Sequence, residues 1–250
     1  MAGKKKNTAP EAENEDLSRG VRSLAIIPDG NRRWARKRGL PAIAGHSRGA
    51  RVLKDISRMC CDRGIRFLTF YAFSTENWKR SEQEVGALMG LLKSLLDDYE
   101  RELGGDKGRI AIRVMGDRSA LSDEQKEGID RVEKATAGDK ALTVILAINY
   151  GSRDEITKAV RSVAEDAASG KISPDEVTQE LISSRLYTAG VPDPDLLIRT
   201  SGEERISNYM LWQIAYSELY FADCLWPDFD EKELDKALDA YAGRKRRFGG

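Results

Sequence analysis

Between Pro28 and Gly39 the chain reads PDGNRRWARKRG. A carboxylate, Asp29, precedes a glycine, and Arg32, Arg33, Arg36, Lys37 and Arg38 then crowd around Trp34. Asp-Gly allows a sharp turn, and a turn opening a helix offers backbone N–H groups and the positive end of the helix dipole. Arginine adds forked contacts to phosphate oxygens. One carboxylate in such company suits magnesium, which takes one or two protein carboxylates plus substrate phosphates. The chemistry indicated is an anion site for phosphate groups; the plain alternative is a surface turn followed by a solvated basic helix.

Two more segments carry comparable residues. In YAFSTENWKRSEQEV, residues 71–85, Ser74, Thr75, Glu76 and Asn77 gather polar groups where a strand should end, and Trp78 and Arg80 follow. Ser81 and Glu84 have the spacing of a capping box, which explains local structure but not Asn77, Trp78 or Arg80. In IRTSGEERISNYMLWQIAYSELYF, residues 198–221, Arg199 ends a strand and a loop carries Arg205, Ser207 and Asn208. A helix-like run is then expected to deliver Glu218, giving a second anion site with a second carboxylate. The alternative there is a charged loop in which Glu203, Glu204 and Arg205 pair among themselves.

These segments must be held by a scaffold. SLAII, IRFLTFYAF, RIAIRVMG, LTVILAIN and DLLIRT read as strands. Helical patterns are expected near 46–64, 82–103, 119–137, 153–169 and 174–187. Such alternation argues an α/β fold with a parallel sheet covered on both faces, in which ligands sit at the carboxyl ends of the strands. Asp29, residues 74–80, residues 149–153 and residues 199–207 would then share one rim. The 82–103 helix has a broader apolar arc than one core face requires, through Val85, Leu88, Met89, Leu91, Leu92, Leu95, Leu96 and Tyr99. It is either a fully buried helix or one wall of an apolar channel.

Composition narrows the classes. The 250 residues carry 41 Lys+Arg against 41 Asp+Glu, so no global charge draws the chain to nucleic acid or a membrane. One histidine and three cysteines without a Cys-x-x-Cys argue against structural zinc and for a reducing, cytoplasmic setting. No run reaches membrane-spanning length. No nucleotide-type phosphate loop, no G-x-G-x-x-G and no Asp-Asp-x-x-Asp occurs. Residues 1–20 read as a disordered tail, and 21–250 as one domain. The closing RKRRFGG reads by itself as a basic end.

In order along the chain, DGNRRWA, GHSRGA, YAFSTENWKR, INYGSRDEI, IRTSGEERISNYMLWQIAYSELYF, LWPDFDE and RRFGG resemble the motifs of the cis-prenyltransferases, most closely the bacterial undecaprenyl diphosphate synthases. The match spans about residue 24 to Gly250. The resemblance implies a six-stranded, mainly parallel sheet with an apolar tunnel, a homodimer, magnesium, and condensation of isopentenyl diphosphate with an allylic diphosphate such as farnesyl or geranyl diphosphate. It implies that Asp29 is the essential carboxylate, and that Gly30, Asn31, Arg33 and His46 cradle the allylic diphosphate, with Arg32 and Trp34 in the same segment. Ser74, Thr75, Glu76, Asn77, Trp78, Arg80 and Glu84 match the mobile segment beside the substrates. Arg199, Arg205 and Ser207 would hold isopentenyl diphosphate, and Glu218 would share the metal with Asp29. Arg247, Phe248 and Gly249 match a C-terminal Arg-x-Gly that reaches the partner's isopentenyl site. The final proton acceptor stays open among Asn77, a diphosphate oxygen and water.

Two positions depart from the bacterial pattern. Arg32 stands where the long-chain pattern has glycine, and Ala42 where arginine is common, so Arg32 or Arg48 is expected to compensate. The departures keep a second outcome in view, irregular head-to-middle coupling to lavandulyl-type diphosphates. A non-catalytic subunit of a heteromeric enzyme and a nucleic-acid-binding module are the other readings. Retained Asp29, Asn77 and Arg-x-Gly weigh against the first, and neutral net charge without a stacking array of aromatics weighs against the second. Peripheral membrane contact is conceivable because long polyprenyl products are insoluble.

Overall fold

Val, Ile, Leu and Phe cluster in short runs, and such runs are stable as strands of a sheet covered on both faces. The computed structural model describes residues 17–102 and 108–244, and those runs form its sheet. The strands are β1 (Ser23–Ile27), β2 (Phe67–Ser74), β3 (Ile110–Met115), β4 (Leu142–Tyr150), β5 (Leu196–Arg199) and β6 (Glu218–Phe221). Their order is β3-β4-β2-β1-β5-β6. Every pairing is parallel, so the expected mainly parallel sheet is wholly parallel.

Helices α1 (Asn31–Lys37), α2 (Ala42–Asp62), α3 (Glu82–Glu102), α4 (Asp123–Thr136), α5 (Ser152–Ala168), α6 (Gln179–Ser183) and α7 (Glu231–Ala242) complete the fold. Strand side chains alternate between two cores. Leu24, Ile26, Leu68, Phe70, Val144, Leu146 and Ile198 join α2, α3, α4 and α7 on one face. Ala25, Ile27, Tyr71, Ile145, Ala147 and Leu197 join Tyr150, Tyr209 and Met210 on the other.

Three expectations are corrected. The helix expected over 174–187 is a 3-10 turn at Pro174–Glu176 followed by the short α6, because Thr178 adopts an extended backbone and restarts the chain as an N-cap for Leu181. The helix-like run before Glu218 is a series of turns. Ser207, Asn208 and Met210 all take positive φ, which a right-handed helix cannot accommodate, and Glu218 opens β6 instead. Residues 1–16 of the expected tail lie outside the described residues, but Leu17–Gly20 form a turn belonging to the fold. Ser18 is buried there, and Arg19 pairs with Asp235 and Asp239 of α7. Helix α7 itself escaped the sequence reading. Among the described residues no helix is long and apolar enough to cross a membrane.

The sheet order locates the site. From β1 the chain moves toward β2, and from β5 toward β6, so the connections leaving these adjacent strands part in opposite directions. The carboxyl ends of such a pair open a crevice. Asp29 leaves β1 and Arg199 closes β5 at that crevice.

Candidate active site

Asp29 is the centre of a clamp. Arg199 Nη2 lies 2.8 Å from Asp29 Oδ2, and Arg33 Nη2 lies 3.1 Å from Oδ1. The backbone is pinned as well: Asp29 O accepts from Thr200 Oγ1 at 2.7 Å and from Trp226 N at 2.9 Å. Burial pushes the Asp29 carboxyl up, but the two guanidinium groups outweigh it and hold its pKa below the usual carboxylate value. Gly30 turns the chain with φ 108, and a Cβ there would stand 2.8 Å from Leu225 Cδ2 and 3.1 Å from Leu225 Cα. Only glycine suits both the dihedral and the space.

Arg199 is the better-anchored arm. It is 4% exposed and also donates to the Arg205 carbonyl and, at 2.8 Å, to Ser207 Oγ. Its Nε is buried with no hydrogen-bond partner, an unspent donor. Arg33 reaches Ser201 Oγ and Glu203 Oε1, the latter at 3.0 Å.

A shallow polar recess of about 240 Å³ is lined by Pro28, Asp29, Gly30, Asn31, Arg32, Arg33, His46 and Arg80. Pro28, Asn31, His46 and Arg80 also line an apolar cavity of about 160 Å³ that continues between α2, α3 and the sheet past Leu53, Phe70, Ala72, Leu88, Leu92, Leu95 and Ile148. A charged mouth therefore leads into a greasy bore. At the mouth Glu84 takes Arg80 at 2.8 Å and stands 3.8 Å from Arg32. His46 Nε2 is buried without a partner; burial, then the charges of Arg80 and Arg32, drive its pKa down to about 4 against the pull of Glu84. The imidazole is neutral at physiological pH. Asn31 is wedged against α2, where a Cβ on Gly45 would stand 2.0 Å from the Asn31 carbonyl oxygen and one on Gly49 2.4 Å from Asn31 Oδ1.

The segment after β2 is a 3-10 turn, Thr75–Lys79, and the capping box sits there rather than at Ser81. Asn77 Oδ1 accepts from Ser74 N at 3.0 Å. Ser81 accepts from Glu84 N, but the Glu84 side chain is drawn to Arg80. Trp78 donates to Asn149 Oδ1 at 2.7 Å and stands edge-on to Phe73. Glu76 Oε1 accepts from Asn208 Nδ2 at 3.1 Å. Gly151 packs where a Cβ would stand 2.7 Å from Thr75 Oγ1. The four segments expected on one rim are thus joined there.

Some expected residues are not brought in. Trp34 points its indole N–H at Asp228, 2.6 Å away, with the Arg38 guanidinium 4.2 Å above its ring; it lines neither recess nor cavity. Arg205 contributes its carbonyl to Arg199 while its exposed guanidinium pairs with Glu203, as the charged-loop alternative foresaw. Glu218 is paired in register with Leu196, which is level with Leu24, so it lies at the amino end of the sheet. Five residues separate that level from Asp29, roughly 16 Å along the strand. The sharing of one metal by Asp29 and Glu218 is therefore not met within one chain, because Glu218 begins a parallel strand and Asp29 follows one. Its carboxylate instead takes Arg244 at 2.7 Å. Arg247, Phe248 and Gly249 lie outside the described residues.

Backbone conformation and a buried network also shape the rim. Ser201 with φ 79, Asn149 with φ 49 and Asn208 with φ 61 hold strained backbones at the rim. Beneath them Glu155, 1% exposed, accepts from Tyr150 OH at 2.6 Å, Tyr187 N at 2.8 Å and Gln213 Nε2 at 3.2 Å. Burial raises the Glu155 pKa. This network anchors the turns that carry Ser207 and Asn208; no periodicity marks it, since its members are scattered from 150 to 213.

Among the described residues no group of three or more His, Cys, Asp or Glu could hold a metal ion. The donor set, a single carboxylate among arginines, fits a divalent cation that arrives with diphosphate oxygens and does not fit a resident all-protein site.

A family model described as putative undecaprenyl diphosphate synthase matches residues 27–249. The isoprenyl transferase of Agrobacterium fabrum is 51% identical over 226 residues, covering 90% of this chain and 91% of that one. That of Geobacillus kaustophilus is 46% identical over 251 residues, covering 100% and 97%. Among solved structures, lavandulyl diphosphate synthase from Lavandula x intermedia with dimethylallyl diphosphate superposes with TM-score 0.89 at 36% identity, covering 93% of this chain and 99% of that one. A probable undecaprenyl diphosphate synthase from Campylobacter jejuni gives TM-score 0.76 at 33% identity, covering 92% and 99%.

Proposed function

The chain belongs to the cis-prenyltransferase family of that model, and from this premise we propose that it extends an allylic diphosphate with isopentenyl diphosphate, releasing diphosphate at each addition. The observation that carries the reading is the continuity of the arginine-rich recess around Asp29 with the apolar bore beside α3. One end suits a diphosphate and the other a hydrocarbon, the two halves of a prenyl diphosphate. Regular elongation is favoured over head-to-middle coupling, since the isoprenyl transferases reach 46–51% identity against 36% for the lavandulyl enzyme.

The reaction breaks the allylic C–O bond, joins that carbon to the terminal alkene carbon of isopentenyl diphosphate, and removes a proton from the new cation. Charge builds on the departing diphosphate and on the allylic carbon. Preset donors at the mouth lower that barrier because they need not reorganise. Arg33, Arg80 and Arg32, with neutral His46, would hold the allylic diphosphate; Arg199 and Ser207 would hold isopentenyl diphosphate across Asp29. Phosphate oxygens would compete with Asp29 and Glu84 for those arginines, so substrate binding exchanges ion pairs already made. Bound magnesium would supply neutralisation of the leaving diphosphate, with Asp29 its protein ligand. Asn77 Oδ1 is engaged by Ser74 N, so Asn77 orients, and a diphosphate oxygen takes the proton.

We further propose that the chain works as a homodimer. Glu218 is remote from Asp29 in its own chain, so it could serve a metal only from a partner protomer, the direction in which Arg247–Gly249 would also act. The test is incubation of the purified chain alone with farnesyl diphosphate, labelled isopentenyl diphosphate and magnesium. Extended product is expected. No extension with any allylic primer would refute the reading, and extension only with an added partner chain would make this a subunit of a heteromer.

A further inference from the structure

Asn208 follows Ser207, whose Oγ accepts from Arg199 Nη1 at 2.8 Å. Its φ is 61, a left-handed turn that asparagine tolerates better than most residues. Its hydrogen bonds join neighbouring segments of the rim. The Asn208 carbonyl accepts from Ser152 N at 2.8 Å, and Oδ1 accepts from Arg153 N at 2.9 Å. These N–H groups open α5, where a helix cannot satisfy its own donors and where Gly151 has no side chain to cap them. Since Arg153 N can only donate, the amide oxygen must face α5 and the NH2 group is turned the other way. There it donates to Glu76 Oε1 at 3.1 Å, on the Thr75–Lys79 turn. A Cβ on Gly151 would stand 2.9 Å from Asn208 Nδ2 and 2.7 Å from Thr75 Oγ1. The bare backbone at 151 thus lets the two segments close over it.

We propose that Asn208 is a positioning residue that sets the distance between the two substrate sites through its bond to Glu76. This role rests on the elongation reading above and deepens it. On one side Asn208 continues into Ser207 and Arg199, which would hold isopentenyl diphosphate. On the other its amide fixes Glu76, next to Asn77 and in the segment that ends at Arg80, which lines the recess for the allylic diphosphate. Joining two substrates depends on their mutual placement, and a shift of about 1 Å can cost on the order of a hundredfold in rate. The Asn208–Glu76 bond is exposed, so it adds little to folding. Its effect is on where the turn stands.

The experiment is a double-variant cycle on the full chain: wild type, Asn208→Asp, Glu76→Gln and both together. Steady-state kinetics with farnesyl diphosphate, isopentenyl diphosphate and magnesium give kcat and each KM, and thermal melts report folding. Asn208→Asp keeps an acceptor for Arg153 N but sets an oxygen against the Glu76 carboxylate. It should lower kcat about tenfold to a hundredfold, with each KM within about threefold of wild type and Tm nearly unchanged. With Glu76→Gln present, the glutamine amide can donate to the new carboxylate, so donor and acceptor are exchanged. In that background Asn208→Asp should cost less than about threefold. A mere loss of folded protein would not be rescued by this exchange. Should Asn208→Asp fail to fold, Asn208→Gly keeps the positive φ and drops both side-chain bonds; it should lower kcat about tenfold or more. Near-normal kcat in the aspartate variant, or in the glycine variant where that one stands in, would overturn the positioning role. So would an equal loss from Asn208→Asp with and without Glu76→Gln. Either result leaves the elongation reading standing, whereas absence of any extension by the wild type would refute that reading itself.

Discussion

Asp29 and Arg199 leave adjacent strands and close on each other at 2.8 Å, with Asp29 Oδ1 also taken by Arg33 and Arg199 Nη1 also held by Ser207. This pair is the hinge of the site: the carboxylate holds both arginine arms apart, and the buried guanidinium keeps the carboxylate ionised. Removing either partner alters both charge and position.

Asp29→Ala should abolish turnover, with kcat down by a hundredfold to a thousandfold or more. Substrate affinity should be largely kept, since Arg199 and Arg33 would lose their internal competitor and remain available to diphosphate. Some stability is lost, about 1–3 kcal/mol, from a buried arginine left without its carboxylate. Single-turnover rates together with equilibrium binding of a diphosphate separate the two effects; a near-normal rate would show that Asp29 is not needed.

Arg199→Lys keeps the charge and loses the fork. A lysine cannot reach Asp29, Ser207 and the Arg205 carbonyl at once. Losing one charge-assisted hydrogen bond of roughly 1.5–3 kcal/mol should raise KM for isopentenyl diphosphate about tenfold or more, with a smaller effect on the allylic substrate. Steady-state kinetics with each substrate varied in turn would check the asymmetry.

Ala72 lines the bore on β2, at a bulge where Tyr71 opposes Ala147 and Phe73 opposes Ile148. Ala72→Leu fills space near the mouth and should shorten the main product by one or more five-carbon units. Unchanged product length by mass spectrometry would mean that the growing chain does not pass this residue.

His46 gives a pH signature. Its folded pKa, about 4, lies below its ordinary value of 6.5, so the proton binds more readily to the unfolded chain. The stability tied to a neutral His46 is complete above pH 6.5 and is lost progressively as pH falls toward and through 4. His46→Gln should therefore lose less Tm than the wild type between pH 7 and pH 4, although other acidic groups will lower both curves. Equal slopes would show that the imidazole is not held neutral.

Much of this was legible in the linear chain because it depends on near neighbours. The runs of β-branched and aromatic residues set five strands, and the helical spacing in 46–64 and 82–103 survives as α2 and α3 with end shifts of up to four residues. The apolar excess of α3 had two readings, and the cavity beside Leu88, Leu92 and Leu95 selects the channel wall. The 207–216 run misled because its apolar spacing is helical while its backbone is not. Positive φ at Ser207, Asn208 and Met210 comes from fitting beneath the rim, where Tyr209 and Met210 are buried against Tyr71 and Tyr150.

Residue chemistry was a property of the sequence alone: arginines and one aspartate beside a sharp turn announce an anion site whatever surrounds them. Which of those groups meet was a property of the tertiary structure. Parallel pairing put Asp29 and Arg199, 170 positions apart, at one end of the sheet and Glu218 at the other. The same packing closed α2 on α3, where Ser57 Oγ lies 3.1 Å from the Tyr99 hydroxyl. Side-chain type sets what a group can bind; strand order and helix register set where it stands, and those come from burying both faces of the sheet at once.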